Sequence, residues 1–140
     1  MKSALLVLLM LLPRAQVVDY VVITATQTPV DQLSRFQLKQ IYFGKLDRLA
    51  NTRLQPLQLK ESDALRLHFD REILGEKADI QDYWLQQKLK GEAQPPLTVG
   101  DWALVAAYVR RNPGYIGYIP ADRLGNLQGL KVIQIRGRRR

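Results

Sequence analysis

TVGDWALVAAYVRRNPGYIGYIP, residues 98–120, reads as a helix handing directly to a buried strand, and the rest of the chain is read outward from it. Thr98 and Asp101 form a Thr-x-x-Asp arrangement suited to a helix N-terminus. Trp102, Val105, Ala106 and Val109 recur at three- and four-residue spacing, the apolar stripe of an amphipathic helix. Arg110 and Arg111 put positive charge in the last turn, where the helix dipole favours it. Asn112-Pro113-Gly114 stops the helix, since proline cannot continue it and glycine accepts the reversal. Tyr115-Ile116-Gly117-Tyr118-Ile119 is short, aromatic and β-branched, the pattern of a buried strand. Gly117 weakens such a strand, so a close-packed neighbour is expected over it. A helix–strand unit of this kind predicts an α/β protein.

At 140 residues, with 46% hydrophobic content, the chain has the length of one domain with a true core. It has no cysteine, which excludes disulfides and thiolate metal sites. Its single histidine, His68, beside Phe69 in a predicted helix, removes most nucleophile–base and metal schemes and is read as structural. No catalytic role and no cofactor are expected.

Met1 to about Ala15 reads as a signal peptide: Lys2 supplies the positive end and Ala4–Leu12 is an unbroken apolar run. Export to the periplasm with a mature start near Gln16 follows, an uncleaved anchor being the other reading. Loss of Lys2 and Arg14 takes two charges from +8 and leaves +6, still basic. Four arginines, Arg136 and Arg138–Arg140, lie in the last five residues, so residues 136–140 read as a solvated basic tail. No interleaving of aromatic and basic residues supports nucleic-acid binding.

Val17–Thr26 is β-branched almost throughout and predicts the first strand. Ser34 opens a helix with a Ser-x-x-Gln capping box to Gln37 and a Leu33/Leu38 staple. Phe36, Ile41 and Tyr42 are assigned to its core face, and Gly44 to its end. Lys45–Thr52 is a polar loop. In Arg53–Lys60, Leu54, Leu57 and Leu59 are candidates for burial, and Pro56 demotes the segment to an edge strand or a strand start. Ser62 is taken as the cap of a second helix, with Leu65, Phe69, Ile73 and Leu74 inward and Gly75 closing it. Asp79 is taken as the cap of a third, Asp79–Lys90, with Ile80, Tyr83, Trp84 and Leu89 inward. Ala121–Leu130 reads as a Gly-punctuated turn and Lys131–Ile135 as a last short strand.

Three stretches together resemble the second lobe of the periplasmic phosphate-binding protein of ABC transporters. They are LKQIYFGK at 38–45, the strand and serine-started helix of Leu54–Phe69, and NPGYIGYI within Val109–Ile119. Tyr83-Trp84 and Gly91 fall where short exported relatives carry a similar Tyr-Trp and Gly. The resemblance covers about Thr24 to Pro120 and implies a three-layer α/β lobe of the periplasmic-binding-protein type II kind, a mixed sheet under about four helices, over residues 16–135. It departs in two ways. The receptors have two lobes and this chain has length for one. Their Arg-Ser-x-Gly-Ser-Gly-Thr phosphate loop stands here as Leu59-Lys60-Glu61-Ser62-Asp63-Ala64, keeping only the serine.

The candidate anion site is therefore Lys60, Ser62, Asp63 and Arg66. A helix N-terminus suits phosphate, Ser62 can donate, and Lys60 and Arg66 can neutralise it. Against this, Glu61 and Asp63 oppose an anion, Ser62 with Asp63 is also an ordinary helix start, and Arg66 can pair with Asp63 or Asp70. Two functions stand: a small exported solute-binding-like protein that contacts phosphate or a similar oxyanion weakly, and a non-enzymatic module that docks on an envelope or membrane protein. Whether two chains pair to rebuild a cleft is open.

Overall fold

The computed structural model describes residues 18–138, and the expected signal peptide and the last two arginines lie outside these. Six strands form one mixed sheet in the order β2-β8-β1-β7-β5-β6. They are β1 (Tyr20–Ala25), β2 (Gln32–Ser34), β5 (Gln55–Gln58), β6 (Leu97–Thr98), β7 (Tyr115–Pro120) and β8 (Leu130–Arg136). β7 lies centrally, antiparallel to β1 and parallel to β5, with Ile23 opposite Gly117 and Pro56 opposite Ile116. The segments expected as strands within 17–26, 53–60 and 115–119 share this sheet, and the expected last strand joins it as β8 on the far side of β1.

Helix α1 (Arg35–Tyr42) starts on the expected capping box: Ser34 Oγ accepts from the Gln37 N–H at 3.0 Å and Gln37 Oε1 accepts from the Ser34 N–H at 2.9 Å. Helix α2 (Ala64–Phe69) continues into a π-helical turn, Asp70–Leu74, and ends at Gly75. Helix α3 spans Lys77–Lys90 and α4 spans Trp102–Arg111. The Asp101 carboxylate caps α4 by accepting from the Leu104 N–H at 2.9 Å, so the Asp101 half of the expected start is the cap.

The two faces of β7 separate the layers, because successive side chains point to opposite sides. On one face Gly117 meets α4, with Val105, Ala106 and Val109 buried against the sheet. On the other face Tyr118 stacks on Phe69 of α2 at 4.1 Å with planes 8° apart. Tyr42 of α1 and Tyr20 of β1 close in at 4.7 and 5.1 Å from the same Phe69 ring. Each buried hydroxyl is satisfied: Tyr42 donates to Leu57 O at 2.7 Å, Tyr20 donates to Glu72 Oε1 at 3.0 Å, and the Tyr118 oxygen accepts from the Leu59 N–H at 3.2 Å. Burial first of all pushes all three phenols up, which keeps them neutral.

Several expectations are corrected. Phe36 is 68% exposed. At about 100° per residue it lies about 200° round the axis from buried Leu38, so α1 turns it to solvent. Leu89 is 73% exposed for the same reason, standing nine residues and about 180° from buried Ile80. Helix α3 begins two residues early, with Glu76 at the cap position and Asp79 in the first turn. Within the expected loop 45–52 lies part of a hairpin, β3 (Arg48–Leu49) and β4 (Thr52–Arg53), turned by Ala50 and Asn51 at φ 49° and 59°. Pro56 is the second residue of β5, which is flanked on both sides by β7 and β6 and is not the expected edge strand. The Gln55 N–H bonds Gly114 O on the β7 side. Pro56 nitrogen, missing its hydrogen, faces the other way, where β6 begins only at Leu97 opposite Leu57.

Candidate functional site

Parallel strands β2, β8, β7, β5 and β6 end at one edge of the sheet, and α1, α2 and α4 start there. In open α/β sheets this carboxyl edge is where ligands sit. The expected anion loop lies on it, between the end of β5 at Gln58 and the start of α2 at Ala64. The Asp63 N–H closes the loop by donating to Lys60 O at 2.9 Å.

The cap of α2 is Asp63, not Ser62. Asp63 holds the extended cap conformation and its Oδ1 accepts from the Leu65 N–H at 2.9 Å, while Ser62 stays exposed one residue outside. Either side chain can cap, and the turn closed by Lys60 and Asp63 puts the aspartate at the first helical N–H groups. A carboxylate of the protein therefore occupies the position an anion would take.

Arg66 is also engaged inward. Its Nε lies 3.3 Å from Asp70 Oδ2 and its Nη1 donates to Leu59 O at 3.0 Å. Burial raises the Asp70 carboxyl, and Arg66 only partly offsets this. Of the four expected residues, Lys60 and Ser62 are exposed, whereas Asp63 and Arg66 are spent on α2 itself. A cavity of about 90 Å³ beside Arg66 has Arg66, Arg71 and Lys77 matched by Glu61, Asp70 and Glu76 in its lining, so its charges balance. No group of three or more metal-ligating side chains occurs among the described residues.

A second cluster on the same edge had no signal in sequence. The Arg138 guanidinium covers the Tyr20 ring at 3.8 Å. It donates to Glu72 Oε1 at 2.5 Å and to Tyr20 O at 2.9 Å, and pairs with Asp19. His68 Nε2 stands 3.3 Å from Asp19 Oδ1 and 3.6 Å from Glu72 Oε2, its ring edge-on to Tyr20. Burial alone would raise the Asp19 carboxyl, but the Tyr20 N–H and Arg138 together hold it below its ordinary value. Arg138 thus departs from the expected solvated tail: it ties the end of β8 to the start of β1 and to the π turn. Tyr20 and Arg138 lie 118 residues apart, and only the β1–β8 pairing makes them neighbours.

No family model and no curated protein matches the chain. Solved structures do match. An ABC-type phosphate transport receptor from Vibrio cholerae superposes with TM-score 0.64 at 18% identity, over 86% of this chain and 47% of that one. A protein from Clostridium perfringens described as a phosphate ABC transporter substrate-binding protein, solved with bound phosphate, gives 0.67 at 16% over 86% and 46%. PstS from Borrelia burgdorferi gives 0.66 at 14% over 89% and 51%. The chain spans about half the length of these proteins, which agrees with the single lobe expected from its motifs. Its fold is that of one half of a phosphate ABC transporter substrate-binding protein.

Proposed function

We propose that the chain is an exported, non-enzymatic receptor-type lobe that contacts phosphate or a similar oxyanion weakly at the Leu59–Asp63 loop. What carries this reading is the position of that loop, on the carboxyl edge between β5 and α2, in a fold shared with a protein solved with phosphate bound. Exposed Lys60 and Ser62 supply the charge and the hydroxyl. Weakness follows from chemistry. Asp63 already fills the α2 cap, Arg66 is held by Asp70, and a single lobe leaves the ligand half-solvated. Export rests on the apolar segment 4–12 and on the receptors' fold. Intact mass of protein from an envelope fraction tests it, with a mass starting near Gln16 expected.

The inward engagement of Asp63 and Arg66 favours a second reading, a module that keeps the lobe fold and docks on an envelope or membrane protein without a ligand. Titration of the protein with phosphate, followed by calorimetry and by amide chemical shifts, separates the two. Oxyanion contact predicts millimolar affinity, shifts confined to residues 59–66, and weakening as salt rises. Asp63→Asn tightens it several-fold by removing a repelling charge, and Arg66→Ala weakens it. No heat and no shift at millimolar phosphate or sulfate would leave the loop as a helix start and the docking module as the function.

A further inference from the structure

Phe36, turned out of the core at 68% exposure, does not stand alone on the surface. It shares one stripe of α1 with Lys39 and with Phe43 at the helix end, the three lying within about 60° of one another round the axis. Asp79 and Tyr83 of α3, one turn apart, face this stripe across a groove of about 460 Å³. Leu74 and Gly75, where the π turn ends, complete its wall. The Tyr83 hydroxyl ties the two helices together by donating to Phe43 O at 2.7 Å, and the two rings meet edge to face at 4.5 Å. A Cβ added at Gly75 would meet nothing within 4 Å, so the groove is open there. Its size is that of a small-ligand cleft.

Two cations are held at this groove by rings. Lys39 Nζ stands 5.9 Å from the centre of the Phe43 ring and Lys45 Nζ 5.2 Å from the centre of the Tyr83 ring. Neither lysine has an ion-pair partner among the described residues. An ammonium carries three donors, and a ring face on one side leaves the others free for an anion. Asp79 sets one negative charge against these two in the lining. Glu92 lies outside it, close enough to Tyr83 to add to burial in raising that phenol. We propose that this groove binds a small aryl carboxylate, its ring on Phe36 and its carboxylate at Lys39 and Lys45. A bare anion has no use for the exposed ring, and an uncharged ring has none for the unpaired lysines. The groove shares no residue with the Leu59–Asp63 loop, so the two sites stand or fall separately. An open groove with one exposed ring gives millimolar affinity.

Titration of the full chain with 3-phenylpropionate, followed by amide and side-chain chemical shifts, tests this. Saturating shifts at residues 36–45 and 74–83 are expected, with a millimolar midpoint that rises with salt. Acetate, with the charge but no ring, and 3-phenylpropionamide, with the ring but no charge, should each bind several-fold more weakly. Phe36→Ala should weaken 3-phenylpropionate several-fold, as should Lys39→Gln combined with Lys45→Gln, whereas Asp79→Asn should tighten it. All four side chains are exposed, and circular dichroism shows that each variant is folded. No saturable shift, shifts confined to residues 59–66, an amide or acetate that binds as well as the acid, or Phe36 and lysine variants that bind like wild type would each overturn the proposal.

Discussion

Gly117 lies where α4 crosses β7, and the cost of giving it a side chain follows from the local geometry. A Cβ at this position would stand 2.4 Å from Val105 Cγ1, 3.5 Å from Val109 Cγ2 and 3.8 Å from Leu57 Cβ. Carbon–carbon contacts settle near 3.5–4.0 Å, so the first distance demands a retreat of about 1 Å. Val105 cannot yield cheaply, because a β-branched residue in a helix has one strongly preferred rotamer, and so α4 itself must lift from the sheet. Overpacking of this kind costs about 1–3 kcal/mol. Better strand propensity returns about 0.5–1 kcal/mol. The net loss for Gly117→Ala is about 1–2 kcal/mol, or about 4–8 °C in melting temperature for a domain of this size. Gly117→Val should lose more despite its stronger strand preference. Thermal melts of Gly117→Ala, Val105→Ala and the double variant form a cycle. Removing the Val105 methyl groups makes room, so the double variant should be more stable than additivity predicts by at least about 1 kcal/mol. An unchanged or raised melting temperature for Gly117→Ala, or strict additivity, would refute the close crossing.

Two further outcomes follow from the caps and the terminal clamp. Asp63→Ala should lose about 0.5–2 kcal/mol in urea unfolding while Ser62→Ala stays near wild type, because the α2 cap is the aspartate; the reverse order would restore the serine as cap. Arg138→Ala should destabilise the protein at pH 7, and the gap to wild type should close in acid. The folded Asp19 carboxyl sits below its unfolded value, so its stabilisation is present above about pH 4 and disappears as pH falls through the folded value. A gap that persists undiminished at pH 2, measured by urea unfolding across pH, would mean that Arg138 acts through its packing on the Tyr20 ring and its bond to Tyr20 O and not through the carboxylates.

Local signals were legible without the structure where the chemistry is local. The Ser34–Gln37 box, the Asp101 cap, the Val105–Val109 stripe and the Asn112-Pro113-Gly114 stop each involve residues within a turn or two of one another. Gly117 was legible too, since a glycine in a buried aromatic strand asks for something pressed against it, and α4 is pressed there. Local order in the motifs at 38–45, 54–69 and 109–119 carried the lobe fold, because packing repeats when such elements recur in the same sequence.

What depended on tertiary structure is of another kind. Which way Phe36 and Leu89 point depends on the azimuth at which each helix docks, and composition alone does not carry that angle. Whether Ser62 or Asp63 caps α2 is decided by the turn that closes Lys60 onto Asp63, since both residues are competent caps. The fate of Arg66 rests on the reach from α2 to the Leu59 carbonyl and Asp70. Arg138 finds Tyr20, Asp19 and Glu72 only because β8 runs antiparallel beside β1 and delivers the end of the chain to its beginning. Sequence determined the elements and their polarity through short-range hydrogen bonding and periodic burial. The sheet order then decided which distant charges meet, because contacts between residues more than a hundred positions apart exist only once the strands are paired.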